Sequence, residues 1–245
     1  MENFMHGLNS PFSRLALALA ALTASASALA VPTYGDIASP PGVYFGTGNV
    51  NGNWTIDTTN NVEVALRIKD RATLATIDGS SGVYRANPGL CNPICGGSSK
   101  ANWNYEFSVN TRANGSGVLD LTNVFAILEV DIDGTAGTNF TAINLYANWN
   151  DNSYWNGART IGVAPAAGDY GVQQSANPLF ANSGFNFLPG RGLYDLRLSV
   201  YVNDAGNRGA LLASTSTQVT IPEPASLGLA GLALAGLAAT RRRRG

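Results

Sequence analysis

Tyr194-Asp195-Leu196-Arg197-Leu198-Ser199-Val200-Tyr201-Val202 sets apolar side chains in alternation with Asp195, Arg197, Ser199 and Tyr201. Successive side chains of a strand point to opposite faces, so this run predicts a β-strand with one apolar face. Asn203-Asp204-Ala205-Gly206-Asn207 follows, a cluster of turn-forming residues, and leads into a second run, Leu211–Val219. Two such runs flanking such a cluster read as a β-hairpin. A one-faced hairpin has to bury that face against another layer.

The runs upstream supply that layer. Val62, Val64, Leu66 and Ile68 alternate with Glu63, Arg67 and Lys69. Trp103, Tyr105, Phe107 and Val109 alternate with Asn104, Glu106 and Ser108, which places Glu106 on an outward, solvated face. Val124–Val130 is nearly all apolar and suits a central strand covered on both sides. Ile143, Leu145, Ala147 and Trp149 alternate with Asn144, Tyr146 and Asn148. Ile161 to Asn186, rich in Gly, Ala, Pro and Asn, reads as a long connection holding at most one short strand. No stretch between residues 31 and 221 shows a 3.6-residue period, and no internal repeat is present. The expected fold is all-β, a single antiparallel β-sandwich, with a closed barrel as the alternative.

The two ends are of different character. Leu15–Leu22 is a short apolar run behind Arg14, and Ala28-Leu29-Ala30 fits a signal-peptide cleavage site, so residues 1–30 read as a secretory signal. Ala225–Thr240 is a run of small and apolar residues that spans about 24 Å as a helix, short of the ~30 Å hydrocarbon core. Arg241, Arg242, Arg243 and Arg244 follow it. Cationic flanks stay on the cytoplasmic side, so the run predicts a marginal hydrophobic helix in the inner membrane with residues 31–221 outside.

Charge and histidine narrow the chemistry of residues 31–221. Of 15 basic residues, Arg14 and the four tail arginines lie elsewhere, and of 16 acidic ones Glu2 and Glu223 do. The domain keeps 10 against 14, about −4, with no basic stripe for nucleic acid. The one histidine, His6, lies in the signal segment, which removes a Ser-His-Asp triad and His-ligated zinc from the domain. Cys91 and Cys95, in Cys-Asn-Pro-Ile-Cys, read as a small local disulfide in an oxidising compartment.

Three places carry candidate chemistry. Asp131 and Asp133, in Asp-Ile-Asp-Gly, alternate like hard-cation ligands, but the twelfth position of an EF-hand count is Ala142 rather than Glu. A turn with two solvated aspartates is the simpler reading, with no metal or other cofactor. Glu129 and Asp131 share a strand face, the arrangement of a glycosidase carboxylate pair, yet no catalytic motif surrounds them. Asn148–Asn156 mixes aromatic rings with amides, as sugar binding requires: Trp149 at a strand end, and Asp151, Asn152, Tyr154 and Trp155 in a loop. The competing reading has those rings plugging one end of the fold.

Pro222-Glu223-Pro224, the apolar run and Arg241–Arg244, in that order, resemble the PEP-CTERM sorting signal. The resemblance covers about residues 221–245. It implies that exosortase, a membrane enzyme of Gram-negative bacteria that make extracellular polysaccharide, handles the tail. It further implies a precursor held in the inner membrane, cut near Pro222–Pro224, and passed to the cell surface or matrix. Val62–Arg67, Trp103–Thr111 and Gly192–Val219 are similar to segments of exported PEP-CTERM proteins, a similarity that brings no catalytic residues. The expectation is a non-enzymatic surface or matrix protein of structural or adhesive role. The alternatives are a module binding extracellular polysaccharide and, third, a glycoside hydrolase.

Overall fold

The computed structural model describes residues 31–38, 50–91, 95, 99–145, 153–155, 159–161, 164–180, 191–223, 228–229 and 231–234. The expected signal segment, 1–30, lies outside them. The first strands along the chain are β1 (Thr33–Gly35), β2 (Trp54–Thr59), β3 (Val62–Asp70), β4 (Val83–Arg85), β5 (Trp103–Asn110) and β6 (Val124–Asp131). They are followed by β7 (Phe140–Asn144), β8 (Ser153–Trp155), β9 (Arg159–Ile161), β10 (Gly171–Ala176), β11 (Gly192–Asp204) and β12 (Asn207–Ile221). Two open sheets result, one of seven strands in the order β1-β2-β3-β5-β10-β8-β9 and one of five in the order β4-β12-β11-β6-β7.

The hairpin read from the alternation is β11–β12, with Tyr194 opposite Val219 and Val200 opposite Ala213. Its turn is tighter than the five-residue cluster implies. Asp204 pairs with Asn207, and only Ala205 and Gly206 form the loop, both at positive φ (50° and 89°). That is the two-residue geometry whose twist matches the flanking strands. Asn60 and Asn61, at φ 52° and 61°, turn β2 into β3 in the same way, because asparagine tolerates the left-handed region.

One apolar core draws on both sheets. Val62, Val64, Leu66 and Ile68 from β3 and Trp103, Tyr105, Phe107 and Val109 from β5 meet Leu128, Val130, Leu196, Leu198 and Val219 from the five-stranded sheet. Each large side chain so buried contributes about 1.5–3 kcal/mol. The Trp103 and Tyr194 rings meet across the sheets at 6.1 Å. Polar ties cross as well: the Ser214 N–H donates to Asp57 (2.9 Å), and the Tyr84 hydroxyl donates to the Asn53 carbonyl (2.8 Å). Tyr84 fits because its neighbour is Gly79, where a Cβ would stand 2.2 Å from the ring.

Three expectations need correcting and one is met. β4 joins β12 in parallel, so the strands are not all antiparallel. The long connection, allowed one short strand, holds β10, six residues that sit between β5 and β8. The strand expected over Ile143–Trp149 is β7, which begins earlier and ends at Asn144, while residues 146–152 lie outside the described ones. Finally, Glu106 does not face solvent. The outer face of the seven-stranded sheet is covered, and Glu106, Ser108 and Asn110 are buried together with Arg67 and Lys69. A second small cluster of Ile37, Trp54, Ile56 and Ala65 lies on that face.

Candidate functional site

The C-terminal end of β12 is the part of the fold that touches the tail. Ile221, buried in the core, pairs with Gly192 as the last step of the ladder. The Thr220 carbonyl accepts from the Ala86 N–H (2.9 Å), so β11 and the residue after β4 hold this end from both sides. Pro222 has no N–H to continue the ladder, and it and Glu223 are exposed. Arg191, just before β11, donates from Nη1 to Glu223 Oε1 at 2.9 Å across an exposed surface. The ladder therefore ends at Ile221, directly before Pro222.

Residues 220–244 match the PEP-CTERM protein-sorting motif. The chain carries the tail of an exported protein that exosortase processes. The match begins at Thr220, inside β12, so the sorting motif overlaps the last turn of the ladder. No curated protein and no solved structure matches the chain. In the tail, Gly228, Leu229 and Gly231–Leu234 are helical, with Leu229, Leu232 and Leu234 each 66–71% exposed. Apolar side chains this exposed have no cover from the β-domain. Among the described residues no helix is long and apolar enough to cross a membrane. Pro224 and Arg241, Arg242, Arg243 and Arg244 lie outside the described residues.

Cys91 and Cys95 are disulfide-bonded, with Cα atoms 5.4 Å apart and Cys91 fully buried. The aromatic stretch is arranged differently from its expectation. Trp149, Asp151 and Asn152 lie outside the described residues. Tyr154 and Trp155 belong to strand β8 rather than to a loop, in register with Val172 and Gly171 of β10. Aromatic residues favour strands, and β10 offers them a pairing edge.

The carboxylates of the 129–133 stretch are each engaged. Glu129 Oε2 accepts from Arg197 Nε at 2.6 Å. Asp131, buried, accepts the N–H groups of Asn139 (3.1 Å) and Asp133 (3.4 Å). Asp133 accepts the N–H and hydroxyl of Thr135, and these bonds hold its carboxyl below its ordinary 3.8. Both aspartates close their own loop, and no group of three metal-ligating side chains occurs among the described residues.

The sequence reading missed the buried charges on the seven-stranded sheet. Arg67 Nε donates to Glu106 Oε2 at 2.6 Å, and its Nη1 donates to the carbonyls of Val50 and Gly52. Its guanidinium lies 4.2 Å from the Trp54 ring centre. Lys69 Nζ stands 3.7 Å from Glu106, and desolvation lowers its ammonium below 10.5, Glu106 partly opposing the shift. A signal was present: Glu63, Arg67 and Lys69 fall on one strand parity, and Glu106 on the matching parity of a neighbour.

Proposed function

We propose that residues 31–221 form a non-enzymatic structural or adhesive domain that exosortase delivers to the cell surface or extracellular matrix. The reading takes the two sheets as the layers of a β-sandwich and the tail as a temporary hold on the inner membrane. The observation that carries it is the junction at Ile221. The core is complete at the residue where the motif becomes exposed, so a cut near Pro222–Pro224 removes no strand and leaves a finished domain. The engagement of Glu129 by Arg197 and of Asp131 by its own loop supports a non-catalytic role, since a glycosidase acid and base must be free to exchange protons.

The test is fractionation of cells that contain exosortase. Full-length chain is expected in the surface or matrix fraction with a C-terminus near Pro222–Pro224, by mass spectrometry. A chain ending at Ile221 should fold equally well and fail to reach that fraction. Equal delivery of both overturns the sorting part. Turnover of a polysaccharide that Glu129→Gln abolishes overturns the non-enzymatic part.

A further inference from the structure

The outer face of the five-stranded sheet bears an open trough of about 360 Å³, within the usual range of small-molecule sites. Thr138, at the approach to β7, and Phe140 form one wall, Asp195 and Arg197 of β11 the floor, and Ser216 and Gln218 of β12 the far side. Asp195 and Arg197 are two residues apart on one strand, so both stand on the outer face about 7 Å apart. This face is wet, unlike its counterpart on the other sheet.

Both charged side chains are held in place by neighbours. Asp195 Oδ1 accepts from Gln218 Nε2 and Oδ2 from the Thr138 hydroxyl, each at 2.9 Å. A carboxylate oxygen has a second lone pair, so each still has capacity for an incoming hydroxyl. Arg197 uses Nε on Glu129, and its guanidinium lies 4.8 Å from the Phe140 ring centre. Its two terminal nitrogens make no hydrogen bond among the described residues, and the side chain is 44% exposed. A fixed guanidinium fork beside a fixed carboxylate presents donors and acceptors side by side without further ordering cost.

We infer that this trough binds a neutral sugar unit through two adjacent hydroxyls, Asp195 accepting from them and Arg197 donating to them. A hydroxyl is both donor and acceptor, which suits such a mixed pair. The charge balance selects the neutral class: Glu129 already neutralises Arg197, and Asp195 leaves the group of three at −1, repelling a uronate. The inference goes beyond the structural role proposed above and does not depend on it.

Affinity electrophoresis tests it, with processed protein recovered from the producing cells and gels containing dextran, galactomannan or alginate. Retardation is expected in at least one neutral gel and not in alginate, and should fall at least fivefold in Asp195→Asn and Arg197→Gln. Ser216→Trp, at an exposed position, fills the trough without removing either charged group, and decides the matter should the other variants fail to fold. No retardation in any gel, retardation by alginate alone, or unchanged retardation of folded Ser216→Trp overturns the inference. All three variants should reach the surface fraction like the parent, so failure of the trough is distinct from failure of the sorting reading.

Discussion

Arg67–Glu106 and Arg197–Glu129 are the same contact in two settings. Each joins directly opposed residues of adjacent antiparallel strands, and each closes Nε to Oε2 at 2.6 Å. Each guanidinium also lies on an aromatic ring. Yet the side chains of the first pair are 0% and 2% exposed, those of the second 44% and 13%. The covered pair has lost its water, and its worth depends on every remaining partner being kept; among the described residues Arg67 Nη2 already has none. The open pair can trade its partner for solvent. Geometry alone does not set the energy of an ion pair; the layer above it does.

Removing one member of each pair sharpens that contrast. Glu106→Ala strands Arg67 and Lys69 in a covered layer and should cost about 3–5 kcal/mol, read from urea unfolding. A loss of only about 1 kcal/mol, the surface value, would break the comparison. Glu63, on the same face of β3, gives the next effect. Burial raises its carboxyl above 4.5, the Ala38 N–H opposing only in part, and its Oε1 has no hydrogen-bond partner among the described residues. The folded domain therefore holds this proton more tightly than the unfolded chain does. The stability Glu63 contributes is fully present below about pH 4.5 and lost as pH rises through the folded value. Glu63→Gln should thus raise the melting temperature at pH 7 and leave it little changed at pH 3.5; a lower melting temperature at pH 7 would show the carboxylate to be favourably held. Glu129→Gln should have the smallest effect, about 0–1 kcal/mol at low salt, fading further at 1 M salt. A salt-independent loss as large as that of Glu106→Ala would show the open face to be covered in solution.

The strands themselves were legible because period-two alternation reports burial on one face. Tyr194–Val202, Val62–Ile68 and Trp103–Val109 all become strands, and their apolar members lie in the core except Val202, which is exposed near the hairpin turn. What alternation does not report is whether the polar face is wet. Glu106 and Arg197 look alike in the chain, each a charge between apolar neighbours, and differ through what long-range folding lays over them. Val50, Gly52 and Trp54 meet Arg67 only once β2 has folded back along β3. The parallel β4–β12 pair was invisible for a similar reason, its partners being more than 130 residues apart. At the other extreme, the Cys91–Cys95 bond and the sorting tail rest on local patterns and were readable directly. The aromatic stretch misled because Tyr154 and Trp155 sit among Asn and Asp residues that signal loops, while their own preference is for strands.

The junction at Ile221 also sets a clearance. Only Pro222, Glu223 and Pro224 separate the last paired residue from Ala225. Fully stretched, the four steps from Ile221 to Ala225 reach about 14 Å. A peptidase cutting within that interval works against the wall of a folded domain, and its catalytic groove has to be shallow on that side or accept a slightly frayed end of β12. Lengthening the interval with a few Gly and Ser residues would move the wall away, so the rate of release becomes a ruler for how deep that groove is.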